Sequence, residues 1–139
     1  MAYTQQDVLD LAHCGWMEAR GDGLFGCFLV MQVVYNRSLP SAPYFPHSIH
    51  GVIYQPNAFS WTRSDDPEHG KNPLPNDQIY AGCLADAPNI LAGTNDDPTK
   101  GALYYANEAV TGPGWYRINI IENPAHPILL VYGHHTFRK

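Results

Sequence analysis

Apolar positions recur along the N-terminal part of the chain in two different ways, and the difference sets the expected packing. Val8, Leu11, Ala12, Gly15 and Ala19 fall at three- and four-residue steps among polar neighbours, the pattern of a helix with one buried stripe. Thr4 and Asp7 stand at capping-box spacing, with Asp replacing Glu, so a first helix is expected over about residues 4–20. Gly21 or Gly23 can then adopt the positive φ that closes it. The following stretch, "LFGCFLVMQVVY", is apolar on nearly every face and predicts a core helix over about residues 24–38.

Beyond Ser38 the pattern breaks. The three prolines of "LPSAPYFPHSIHG" oppose a helix and predict an extended surface connection into the short apolar "VIY". Residues 63–77, "RSDDPEHGKNPLPND", have no hydrophobic period and read as a mobile or substrate-facing loop. Asn76 is placed to cap a third helix with the stripe Ile79, Cys83, Ala87, Ile90 and Leu91, kinked or split at Pro88 and ended by Gly93. "ALYYAN" and "ILLVYGHHTF" read as strands. Helices first and short strands later predict an α+β fold, with no internal repeat.

Composition narrows the function. A chain of 139 residues suits a single domain, 1–139. A net charge of −5 with scattered Lys and Arg argues against a nucleic-acid partner. Cys14, Cys27 and Cys83 are odd in number, widely spaced and set among apolar residues, so buried reduced thiols are expected rather than disulfides or a zinc site. The longest apolar run, residues 27–35, is interrupted by Gln32 and too short to span a bilayer. "MAYTQQD" lacks the basic-then-apolar order of a secretory signal, so a cytoplasmic start is expected, without a membrane partner.

Within the first helix one residue does not fit. Glu18 lies three residues after Gly15, four after Cys14 and seven after Leu11, on the apolar stripe near the helix end. Desolvation and the carbonyl dipoles of a helix C-terminus both favour the neutral carboxylic acid. A protonated glutamic acid near neutral pH can donate a proton to a glycosidic oxygen, and Gly15 beside it would leave room for a ligand. The competing reading makes Glu18 an ordinary ion-pair partner of Arg20 or Arg37. Tyr54, Phe59, Trp61, Tyr104, Tyr105, Trp115 and Tyr116 offer faces on which sugar rings stack, or else core packing.

Other chemistries fit less well. Seven histidines invite a metal site, but no HExxH or CxxC occurs, and adjacent His134 and His135 would face opposite sides of a strand. Ser60 in "AFSWT" lacks a glycine elbow, and the cysteines do not suggest an accessible thiolate.

Five ordered segments together resemble the SleB-type cell wall hydrolases, the family of spore cortex-lytic enzymes and some phage endolysins: "EARGDG" from Glu18, "VVYNR" from Val33, "GVIYQPNAFSWT" from Gly51, "DPTKGALYYAN" from Asp97 and "GHHTFRK" from Gly133. The resemblance implies a lysozyme-like fold, akin to lytic transglycosylases and goose-type lysozyme, with a helical core and a small β-region. It implies cleavage of the β-1,4 bond between N-acetylmuramic acid and N-acetylglucosamine in peptidoglycan, with Glu18 as catalytic acid and base and no metal or cofactor. Phe59, Ser60 and Trp61 would border the groove, Tyr104, Tyr105 and Asn107 would meet the glycan opposite Glu18, and His135 with Thr136 and Phe137 would support that wall. Ala58 stands where the family often has glutamine, and Gln55 is the expected substitute. Asn36 and Arg37, at the end of the buried helix, are expected to hold loops rather than substrate.

The leading expectation is therefore a monomeric peptidoglycan lytic transglycosylase or muramidase acting on glycan strands, as a phage endolysin held in the host cytoplasm until lysis. The alternatives are a metal-dependent peptidoglycan amidase and a non-catalytic glycan-binding or virion module.

Overall fold

The computed structural model describes residues 2–139. Helix α1, Gln5–Ala19, is capped as expected: Thr4 Oγ1 accepts the Asp7 N–H at 3.1 Å, and the Asp7 carboxylate accepts the Thr4 N–H at 2.9 Å. A single 3-10 turn, Arg20–Asp22, follows, and of the two candidate glycines it is Gly23, at φ 80°, that makes the corner into α2, Gly23–Ser38. α2 runs back along α1 and is buried on most of its faces.

The two helices cross closely at Gly15. A Cβ there would lie 2.7 Å from Met31 Cγ and 3.2 Å from the Cys27 carbonyl oxygen. The space expected beside Gly15 for a ligand is thus occupied by α2, and the glycine serves helix packing instead. Helix α4, Gln78–Leu91, packs on both α1 and α2. Its cap is Asp77 rather than Asn76: Asp77 Oδ1 accepts the Tyr80 N–H at 2.9 Å, while Oδ2 accepts Trp16 Nε1–H at 3.2 Å. The helix continues unsplit through Pro88, which near the C-terminus removes only the bond its nitrogen would have donated to Leu84. Leu11, Cys14, Cys27, Met31, Val34, Cys83 and Ile90 fill the space between the helices, and the three thiols are free and buried, as expected.

The two segments between α2 and α4 depart further from the sequence reading. Residues 39–48 form turns, but "IHGVI" coils into α3, Ile49–Ile53, whose Ile49, Val52 and Ile53 join the core. Ser48 Oγ caps it, accepting the Gly51 N–H at 3.0 Å. Five residues are too few to show a helical period in sequence. Residues 63–77 are tied back onto α1: His13 Nε2 meets the Lys71 carbonyl at 2.9 Å, Arg20 pairs with Glu68 at 3.6 Å, and Trp16 reaches Asp77.

The C-terminal part builds a three-stranded antiparallel sheet in the order β1-β3-β2. β1 is Tyr104–Ala106. "ILLVYGHHTF" is two strands, β2 Ile128–Tyr132 and β3 His135–Arg138, joined at Gly133, whose φ of 56° permits the reversal. Tyr105 pairs with Phe137, and Tyr132 with His135. Buried Phe137 packs with Leu29, Val33 and Ala102, seating the sheet on α2. The α+β class, with a helical core and a small β-region, is therefore as expected. Among the described residues no helix is long and apolar enough to cross a membrane.

Close approach at Gly15 has a measurable consequence. Gly15→Ala forces Met31 to repack and crowds the backbone of Cys27, so it should lose about 1–3 kcal/mol of stability. A lower urea midpoint at unchanged m-value checks this.

Candidate active site

A cleft of about 840 Å³ opens between the end of α1, the end of α2, the loop after α3 and the sheet. Glu18 and Arg37 come from the two helices, Tyr44 and Phe45 from the proline-rich turns, and Gln55, Asn57 and Phe59 from the loop after α3. The opposite wall carries Tyr104, Tyr105, Asn107, Trp115, Tyr116 and His135. A smaller cavity of about 440 Å³, between residues 2–7 and the ends of α2 and α4, contains one carboxylate, Asp7, which is committed to capping α1. The larger cleft is the one that holds a buried carboxyl group, Glu18.

Among the described residues Glu18 is the only carboxylate lining this cleft. It makes no ion pair: Arg20 turns away to Glu68, to the carbonyls of Trp16 and Met17, and to the face of the Trp16 ring at 4.2 Å. Tyr105 donates its hydroxyl hydrogen to Glu18 Oε1 across the interface between helices and sheet. Burial pushes the Glu18 carboxyl above its ordinary range; the Tyr105 bond, the Trp61 indole and the Arg37 charge pull partly back. The buried Trp61 Nε1–H has no hydrogen-bond partner within normal distance. Burial and the adjacent Glu18 hold the Tyr105 hydroxyl far above its usual range, so Tyr105 is a donor and not a base.

Asp22, four residues after Glu18, organises the far end of the wall. Its Oδ1 lies 3.2 Å from His134 Nδ1 and its Oδ2 lies 3.2 Å from His135 Nδ1. The two histidines thus converge on one carboxylate instead of diverging, because His134 belongs to the turn and only His135 to β3. A Cβ at Gly133 would come within 3.0 Å of Asp22 Cγ, so the glycine lets the hairpin approach this closely. Burial lowers the His135 pKa, with Asp22 opposing. A carboxylate only accepts, so neutral His135 carries its proton on Nδ1 and leaves Nε2 as an acceptor. Its ring meets Tyr105 edge-on at 5.2 Å, which braces the tyrosine beside Glu18.

Of the residues singled out from sequence, Glu18, Gln55, Phe59, Tyr104, Tyr105, Asn107 and His135 meet in the cleft. Gln55 occupies the wall next to Ala58. Ser60 is exposed and does not line it. Trp61 is a core residue packed on His13, Tyr54 and Phe59, reaching Glu18 from behind and not bordering the groove. Residues 63–77 do not face the cleft either.

Asn36 holds a loop as expected, donating to Asp97 at 3.0 Å and to the Ala102 carbonyl at 3.0 Å. Arg37 does this too, through Nε to the Leu103 carbonyl at 2.7 Å, but it also lines the cleft, which the sequence reading did not favour. Trp115 and Tyr116, read from sequence as stacking faces or core, line the cleft, as do Tyr44 and Phe45, which the sequence reading did not single out. Tyr44 is 92% exposed at φ 70° and Trp115 is 66% exposed, so both present open aromatic faces at the rim. A bulky residue in the left-handed region has no propensity signal that sequence could reveal.

The raised Glu18 pKa also acts on stability. The native state holds this proton more tightly than the unfolded chain does, so its contribution is complete below the ordinary carboxyl pKa and is lost as pH rises through the native one. Glu18→Gln should therefore melt at a higher temperature than the parent near about pH 8, with the gap closing towards about pH 4. Parallel thermal melts across that range check it.

A model of the Cell Wall Hydrolase family matches residues 21–137. The matched span takes in Arg37, the loops and the sheet, and begins just after Glu18. The chain is 37% identical over 113 residues to the spore cortex-lytic enzyme of Oceanobacillus iheyensis and 31% identical over 113 residues to that of Halalkalibacterium halodurans. Each alignment covers 81% of this chain, but 37% and 31% of those proteins, so the chain spans about a third of the length of the curated relatives it matches. The catalytic domain of the germination-specific lytic transglycosylase SleB from Bacillus anthracis superposes with a TM-score of 0.73 at 28% identity, over 99% of this chain and 98% of that one. The SleB catalytic domain of Bacillus cereus gives 0.69 at 27% identity, over 99% and 93%. Sequence segments, fold and family model agree, and the chain belongs to the Cell Wall Hydrolase family.

Proposed function

We propose that this chain is a peptidoglycan glycosidase of the lytic transglycosylase type, with Glu18 acting first as acid and then as base. The observation that carries the reading is that Glu18 is alone: one carboxyl group, its pKa raised by burial, in a cleft walled by aromatic rings. Glycosidases using two carboxylates set them about 5–5.5 Å apart when retaining and about 6.5–9.5 Å apart when inverting, and among the described residues no second carboxylate lines this cleft. A muramoyl unit supplies its own nucleophile in the 6-hydroxyl, so one carboxyl suffices.

Tyr105 donates to Oε1, which leaves the acid proton on Oε2, directed to the glycosidic oxygen. As that oxygen leaves, the Glu18 carboxylate is held by Tyr105 and faced by the Trp61 N–H. The carboxylate then takes the proton of the 6-hydroxyl as its oxygen attacks the anomeric carbon, closing the anhydro ring. Asn107, Gln55 and His135 Nε2 offer polar contacts to the sugars, and Tyr104, Trp115 and Tyr44 offer ring faces. That SleB of Bacillus anthracis is a lytic transglycosylase supports this reading. The relatives described above are spore enzymes and lend no support to the phage-endolysin setting.

The amidase alternative has little to build on. Asp22, His134 and His135 come nearest to a metal-binding set, yet both imidazoles turn Nδ1 to the one carboxylate. Among the described residues no group of three or more His, Cys, Asp or Glu is arranged to hold a metal ion.

Digestion of purified peptidoglycan tests the proposal. Glu18→Gln should lower the rate by about 10²–10⁴, and mass spectrometry should find anhydromuramoyl ends. Undiminished activity in that variant overturns the mechanism, and reducing muramic ends indicate that water is the nucleophile. Tyr105→Phe removes a bond that holds the Glu18 pKa down, so the alkaline limb of kcat/KM should move to higher pH. A limb that stays in place disconnects Tyr105 from the acid.

A further inference from the structure

Arg37 is more deeply buried than its packing explains. It is 9% exposed, and among the described residues its Nε bond to the Leu103 carbonyl is the only hydrogen bond it makes. Arg20, Arg63 and Arg138 each meet a carboxylate, and Arg117 donates to the Glu108 and Thr111 carbonyls. Among the described residues Arg37 has no carboxylate within ion-pairing distance. The rings of Phe45, Phe59 and Tyr104 surround it instead, with centroids 5.0, 5.8 and 5.9 Å from Cζ.

Among the described residues Nη1 and Nη2 find no protein acceptor, yet neither is among the buried unpartnered polar atoms, so both keep some exposure, and the open cleft is what Arg37 lines. A desolvated cation without an anion is costly, and the aromatic faces offset part of that cost without supplying negative charge. With Nε committed and the faces covered, what remains is the guanidinium edge, the geometry that takes a carboxylate in two parallel hydrogen bonds.

We propose that the Nη edge of Arg37 is a carboxylate subsite of this cleft, recognising an acidic group borne by the muramoyl unit and selecting charged over neutral glycan strands. The inference rests on the glycan-cleaving reading above. Two sources carry this chemistry, the lactyl carboxyl of a peptide-free muramoyl unit and the carboxyls of an attached stem peptide. The subsite adds a positive charge where a chain of net charge −5 otherwise repels an acidic polymer.

The test compares kcat/KM on peptide-free strands, on the same strands with lactyl carboxyls amidated by methylamine, and on peptide-bearing strands with and without the same amidation. The parent protein should prefer the charged form of one pair by about tenfold, and the pair that shows it names the source. In Arg37→Gln the preference should fall to about unity, and in Arg37→Lys it should be intermediate, since the charge stays and the fork is lost. A ratio is insensitive to a reduced folded fraction. Equal rates on charged and amidated strands in the parent, or the same ratio in Arg37→Gln, overturn the subsite while leaving the glycosidase reading intact. If no strand is cleaved, that reading fails instead. NMR titration of the parent with N-acetylmuramic acid, with an N-acetylmuramoyl peptide and with the methyl ester of each then decides the subsite, and equal affinities within both pairs overturn it.

Discussion

The structure turns on keeping one carboxyl group out of water. Glu18 sits on the last turn of α1, where burial and the helix terminus both oppose its charge, and the fold supplies few groups that favour the ion. Tyr105 reaches it from β1, so the hydrogen bond that positions the acid also spans helices and sheet. Burial raises the Glu18 pKa, while the Tyr105 hydroxyl and the Trp61 N–H stand where they favour its ionised form.

Much of the remaining architecture serves to hold Tyr105 there. Asn36 and Arg37 grip residues 97–103 from the end of α2, and that loop leads directly into β1. Asp97 closes the loop on itself, accepting from Thr99 Oγ1 at 2.6 Å and from the Gly101 N–H at 2.8 Å. Asp22 anchors the hairpin from the corner after α1, bringing His135 against Tyr105. Arg138 binds Glu108 in a two-pronged pair, at 2.6 and 2.9 Å, and ties the segment after β1 to β3. Polar groups at the ends of elements thus fix the wall, while Phe137 and Leu29 supply the apolar contact beneath it.

The errors of the sequence reading share a cause. Gly15 next to an acid suggested room for ligand, when the vacancy was for another helix. Trp61, among loop aromatics, suggested a groove, when its ring joins the core and only its nitrogen matters to the acid. Arg37 was read as structural, and the reading was half right: Nε does hold Leu103, while the residue also lines the cleft. A residue type and its spacing say what a side chain can do, but not which of its atoms face protein and which face solvent.

What the sequence determined by itself was local in origin. The capping box at Thr4, the apolar stripes of α1 and α4, the burial of α2 and a reversal at Gly21 or Gly23 follow from interactions within a few residues, which periodicity and capping chemistry report directly. Glu18 was legible because an acid on an apolar stripe violates that local pattern. Tertiary structure alone decided its neighbours: Tyr105 is 87 residues away, His134 is 112 residues from Asp22, and Leu103 is 66 from Arg37. No local propensity encodes such separations; they arise where burial of Phe137 on α2 and the hydrogen bonds of Asn36, Arg37 and Asp22 bring the sheet against the helices.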